Sequence, residues 1–169
     1  MRMNEQHVAI YEDARNMANI AVWGIELQIQ RLRRVESELE EFVMQPVIDF
    51  HFLVTALSRL RITAEMISKI CDLSSAINAF DKSLPDLRAI RNILEHIDEY
   101  RVGKGHNKNV PQNSFQTIIF DGDIIKWVNC EINLEDAIKA SSDLFMAIKS
   151  QTPNPAFERD SPEAGCPSI

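Results

Sequence analysis

Apolar residues recur along this chain mostly at steps of three and four, the spacing of one helix face. From His7 to Leu39 the row His7, Tyr11, Ala14, Ala18, Ala21, Ile25, Gln28, Leu32, Val35 and Leu39 keeps that rhythm, with a second row through Val22 and Ile29. Its three alanines leave room for a neighbouring helix to come close. Pro46 ends the run and reads best in the first turn of a second helix, whose apolar side is Val47, Phe50, Leu53, Val54, Leu57, Leu60, Ala64, Ile67 and Cys71. Leu73 to Phe80 reads as a short helical connector.

Ser83-Leu84-Pro85-Asp86 has the form of a helix start, with Ser83 capping and a proline in the first turn. The helix predicted from it carries the stripe Leu87, Ile90, Leu94 and Ile97, runs to about Arg101 and stops at Gly103 or Gly105. Then the period changes. Phe115 to Phe120 and Ile124 to Cys130 are β-rich and joined through Asp121-Gly122, a hairpin signal. Asn133-Leu134-Glu135-Asp136 caps a last helix with Ala137, Ile138, Leu144, Phe145 and Ile148 inward. The expected fold is mainly α: a four-helix bundle with a small β-hairpin before the last helix, over residues 1–151. Four of the seven prolines lie between Pro153 and Pro167, so residues 152–169 are expected to form a disordered tail.

A chain of 169 residues suffices for one domain with a real core. No apolar stretch is long enough to span a bilayer, and none follows the first residues as an export signal would require, so a cytoplasmic protein without a membrane partner is expected. Cys71, Cys130 and Cys166 are too widely separated, and odd in number, for a disulfide framework or a zinc knuckle. The formal net charge of −7 argues against a general nucleic-acid coat protein but leaves room for a local basic site. No Glu-x-x-His pair, nucleotide-binding glycine loop or nucleophile elbow occurs, so neither metal nor cofactor is expected. Arg31, Arg33 and Arg34 are offset by Glu36, Glu38, Glu40 and Glu41 and read as a solvated helix surface.

The chemistry concentrates in Arg91-Asn92-Ile93-Leu94-Glu95-His96. On a regular helix Arg91 flanks the apolar stripe beside Glu95, and His96 lies about 140° away around the axis. One helix therefore cannot bring both to one phosphate, whereas two copies facing each other across a dimer axis can. Histidine is the side chain suited to proton transfer near neutral pH, and a guanidinium can hold two phosphate oxygens at once. Downstream, Arg101, Lys104, His106 and Lys108 form an acid-free basic stretch in a glycine-containing loop.

This hexapeptide resembles the R-x4-6-H motif of the HEPN superfamily, including a polar residue directly after the arginine. The resemblance implies a small helical bundle that forms a homodimer. It further implies a metal-independent endoribonuclease of toxin–antitoxin, stress or defence systems, with an antitoxin or other protein as partner. It assigns Arg91 as phosphate ligand and His96 as proton-transfer group. Asn92 would orient the pair, and Glu95 would support Arg91 from one turn away. Arg101, Lys104 and Lys108 would contact RNA. Two features depart from the family: Asp98 stands where a subgroup has tyrosine, and Glu95 and Glu99 flank His96. A non-catalytic helical dimerisation module is the alternative reading.

Overall fold

Helix α1, Glu5–Arg33, turns its alanine and isoleucine row inward, and Tyr11, Ala14, Ala18, Ala21, Ile25, Ile29 and Leu32 are buried. It packs along α2, Gln45–Ile67, whose Pro46 sits in the first turn. Small residues set the approach: a Cβ added at Gly24 would lie 3.5 Å from that of Ala56. These features come from a computed structural model that describes residues 5–34, 44–108, 110, 115 and 117–151. The predicted continuation of the first helix to Leu39, the acidic run Glu36 to Glu41 and the tail 152–169 lie outside the described residues.

The remaining elements are α3 (Ser74–Ser83), α4 (Leu87–Glu95), α5 (Ile97–Arg101), β1 (Ile118–Asp121), β2 (Ile124–Trp127), β3 (Cys130–Asn133) and α6 (Leu134–Ser150). The mainly α architecture with a small antiparallel sheet before the last helix is as the sequence predicts. Three details differ. Ser83 is the last residue of α3 rather than the cap of the next helix. Pro85 has no N–H to extend α3, Leu84 is buried, and the new helix begins after Asp86. The Asp86 carboxylate caps nothing in its own helix; it accepts from the Glu131 N–H of β3 at 2.9 Å.

The second difference is a bend. Instead of one helix to Arg101, the chain leaves helical geometry at His96 (φ −121, ψ 31) and resumes as α5. Backbone bonding carries across it, from the His96 N–H to the Asn92 carbonyl and from the Tyr100 N–H to the His96 carbonyl. The buried stripe of α4 is Leu87, Ile90 and Ile93, with Leu94 and Ile97 only half-buried. Steps of three swing a stripe by about 60° per step around a helix of 3.6 residues per turn. The bend comes at the end of that swing and is followed by a single buried side chain, Tyr100. Gly103 then ends α5 at φ 72, with its N–H bonded to Tyr100 and that of Lys104 to Glu99, a Schellman cap. Gly105 serves close packing instead, since a Cβ there would run into the Tyr100 ring.

Third, the hairpin is a three-stranded meander in the order β1-β2-β3. Gly122 takes φ +57 in the two-residue loop between Asp121 and Ile124. The apparent single strand Ile124 to Cys130 is folded back on itself at Val128 and Asn129, with φ 52 and 63. Valine is rare in that region, and here its side chain is buried in the core. Trp127 ties the sheet to the helices, edge-on to Phe50 at 6.4 Å and to Phe115 at 6.3 Å. Asn133 caps α6 by accepting from the Glu135 and Asp136 N–H groups. The other end of α6 is held by Tyr11, whose hydroxyl donates to the Gln151 carbonyl at 2.6 Å.

The arginine cluster at the end of α1 is exposed, as the sequence predicts, and two of its members also tie α1 to other elements. Arg31 pairs with the buried Asp49 of α2 at 2.9 Å, and Arg33 with Asp123 of the β1–β2 loop at 2.8 Å and with Glu135 of α6. No helix among the described residues is long and apolar enough to cross a membrane.

Candidate functional site

Within the motif Arg91 pairs with Glu95, while His96 meets Glu99 and His106. Arg91, half-buried, faces α2 and donates from Nε and Nη2 to one oxygen of Glu95, at 3.0 and 2.9 Å. This is the one-turn pair the sequence spacing anticipates. Asn92, also half-buried, lines a further cleft together with Arg88, Arg91, Glu95, Tyr100 and Asn107. His96 stands at the bend, its side chain 42% exposed, with Nδ1 3.5 Å from Glu99 and its ring 6.4 Å from that of His106. No hydrogen bond or ion pair joins Arg91 to His96.

Arg101, Lys104 and Lys108 are exposed along the segment that leads from α5 past His106. Lys108 reaches back to the Gly103 carbonyl at 3.5 Å. The loop closes over Tyr100, whose hydroxyl accepts from the Asn107 N–H at 3.3 Å. That closure is why His106 comes to lie against His96, ten positions earlier in the chain. In the sequence His106 is one more basic loop residue; its position beside His96 depends on the bend and on Gly105.

On the Arg91 side lies a groove that the sequence does not single out. Between α2 and the start of α4 a cleft of about 400 Å³ is lined by Ser58, Arg61, Asp81, Arg88 and Arg91. It adjoins one of about 370 Å³ that adds His51, Thr55, Arg59 and Glu95. Arg61 is committed: it holds Asp81 through Nε at 2.5 Å and Nη2 at 2.7 Å, and Glu65 through Nη1 at 2.6 Å. The Asp81 and Glu65 carboxylates hold its pKa above the ordinary arginine range. Arg59 and Arg88 pair with no carboxylate among the described residues. His51 is half-buried against Trp127, and burial pushes its pKa below the usual histidine value.

Ser58 is the unusual member. Its residue is 7% exposed, and its Oγ has no hydrogen-bond partner among the described residues. Neighbouring hydroxyls on α2 fold back onto their own helix, Thr55 onto His51 and Thr63 onto Arg59. A buried hydroxyl without a partner costs about 1–3 kcal/mol. The spacing of Arg88 and Arg91, one turn apart, was the available sequence signal for this groove; Ser58 carried none.

Exposed large apolar side chains recur on α1 and α2. Ile20, Trp23 and Leu27 recur at helical spacing on α1, and Ile48 and Phe52 on α2; Trp23 is 71% exposed and Phe52 58%. Among the described residues no group of three or more His, Cys, Asp or Glu side chains is arranged to hold a metal ion. The chain matches no protein-family model, no curated protein and no solved structure.

Proposed function

We propose that this protein is a HEPN-like, metal-independent endoribonuclease of a bacterial toxin–antitoxin, stress or defence system, acting on RNA as a homodimer. The observation that carries the reading is the disposition of the hexapeptide. Arg91 is one of four arginines along a groove, and His96 stands half-exposed at a helix bend beside a second histidine and a basic loop. In the reaction proposed, His96 of one protomer takes the 2′-hydroxyl proton of the RNA. The freed oxygen attacks the adjacent phosphorus and the 5′-oxygen of the next nucleotide leaves, recovering a proton. Arg91 of the other protomer neutralises the charge that builds on the phosphoryl oxygens. Arg101, Lys104 and Lys108 hold the strand, and Asn92 orients the pair.

The composite arrangement is supported by helix geometry, which sets side chains five residues apart about 140° around the axis, and by the lack of any hydrogen bond or ion pair between Arg91 and His96 within one chain, so a complete site needs a second copy. The apolar face of Ile20, Trp23, Leu27, Ile48 and Phe52 is the surface such a copy would cover. An exposed patch of this kind is unusual for a chain that stays alone in water. Glu95 has two parts in the reading: it fixes the Arg91 guanidinium in the absence of RNA and yields it to a phosphate.

A second reading is favoured by the same face and by the Arg91–Glu95 pair. If that pair never opens, the protein is a non-catalytic helical module that uses its apolar face to dimerise or to bind an antitoxin-like partner. Cleavage of a flexible single-stranded RNA in EDTA separates the two. The ribonuclease reading expects cleavage that requires the 2′-hydroxyl, so DNA of the same sequence resists. Wild-type protein no more active than His96→Ala would leave the interaction module.

A further inference from the structure

We propose that the cleft between α2 and the start of α4 is a binding site for a phosphate monoester dianion, with the Ser58 hydroxyl as donor on its wall and Arg88 as its charge partner. The inference needs neither His96 nor catalysis, and it stands if the ribonuclease reading fails.

Three observations converge. The first is charge: the two adjoining clefts hold four arginines against the carboxylates of Glu65, Asp81 and Glu95, in a chain whose net charge is −7. The second is commitment. Arg61 is fully used by Asp81 and Glu65, and Arg91 places two of its donors on Glu95, but Arg59 and Arg88 have no carboxylate partner among the described residues. Arg88 lines the same cleft as Ser58 and can give two parallel N–H bonds to phosphate oxygens, while Arg59 lines the adjoining cleft. The third is Ser58. Its buried Oγ, on the wall that both clefts share, is without a partner among the described residues, and a hydroxyl can donate to an anion as readily as to a carbonyl. Arg61, clamped to Asp81 of α3, fixes the groove wall and leaves the other cations available. A cleft of about 400 Å³ is of the size that takes a small phosphorylated molecule. The same chemistry fits a phosphorylated strand end.

The test is thermal denaturation of the full chain titrated with inorganic phosphate against sodium chloride of equal ionic strength. The wild type is expected to gain stability with phosphate but not with chloride. Arg88→Gln, at an exposed position, is expected to weaken the apparent phosphate affinity at least about tenfold. Ser58→Ala is expected to raise the melting temperature without phosphate, because a buried unpartnered hydroxyl is removed, and to lose most of the gain with it. Two further arms identify the source. A larger shift with adenosine monophosphate than with phosphate assigns a small nucleotide-like ligand, and a shift with a 5′-phosphorylated oligonucleotide but not its 5′-hydroxyl twin assigns a strand end. Both support the site provided that Arg88→Gln abolishes them. A wild type indifferent to phosphate overturns the proposal. So does a phosphate shift unchanged in Arg88→Gln and Ser58→Ala but lost in Arg91→Gln, which would put the anion at the hexapeptide instead.

Discussion

The Arg91 guanidinium gives two hydrogen bonds to a single carboxylate oxygen of Glu95, one turn further along α4. Both side chains are more than a third exposed, so the pair adds little to stability, about a few tenths of a kcal/mol at most. Its consequence is functional: the cation proposed to meet RNA is already occupied.

Glu95→Gln is therefore expected to leave the melting temperature within about a degree of the wild type and to tighten binding of single-stranded RNA. The gain should shrink as salt rises, because it comes from an uncovered charge. Filter binding or fluorescence anisotropy across a salt series reads it. Weaker RNA binding in Glu95→Gln would mean that the carboxylate orients Arg91 rather than competing for it.

Tyr11 closes the helical domain at its far end. Its hydroxyl bonds to the Gln151 carbonyl at 2.6 Å and lies 3.2 Å from that of Ile148, joining α1 to the last turn of α6. Tyr11→Phe keeps the ring and removes the hydroxyl from the Gln151 carbonyl, so a loss of about 1 kcal/mol is expected. In a chain of this length that is a fall of roughly 2–4 °C by calorimetry. An unchanged melting temperature would show that water replaces the hydroxyl at no loss.

Much of the fold was legible because its signals are local. Pro46, the Asn133 cap, the Gly103 stop and the heptad-like row of α1 each act within a turn of themselves. The parts that were not legible depend on distant residues. Ser83 looks like a cap until Leu84 is seen to be core. Val128-Asn129 carries no glycine or proline, and valine turns there only because its side chain is drawn into the core. The bend at His96 has no breaker residue either; it accompanies the burial of Tyr100 under Gly105. The Arg91–Glu95 pair was readable from its one-turn spacing. The His96–His106 contact and the Ser58 groove were not, since each is made by chain segments brought together only by packing.

His51 gives a pH dependence with a definite sign. Burial lowers its folded pKa below the ordinary value of 6.5, so the unfolded chain takes up a proton more readily than the folded one. The contribution is fully present above about 6.5 and is lost as pH falls from there toward the folded value. Wild type is expected to lose more stability than His51→Gln between about pH 7.5 and pH 5.5, by urea denaturation. Equal losses in the two proteins would remove His51 as the cause.

The exposed face on α1 and α2 predicts a dimer. Light scattering at tens of micromolar should give about twice the 19.3 kDa chain mass. Phe52→Glu should return the mass of one chain with its helical content intact, because Phe52 is largely exposed within the chain. A wild type that remains a single chain would remove the composite site.

The central claim is that Arg91 of one chain and His96 of another act on the same phosphate. Arg91→Ala and His96→Ala are each expected to lower cleavage of single-stranded RNA in EDTA by about a hundredfold or more. The most direct measurement is cleavage by the two variants mixed after their dimers are dissociated and allowed to re-form. In a mixed dimer one of the two sites has both residues intact, so activity should return to a substantial fraction of the wild type. A mixture no more active than its two components, with mixed dimers demonstrated by mass spectrometry, would contradict the account.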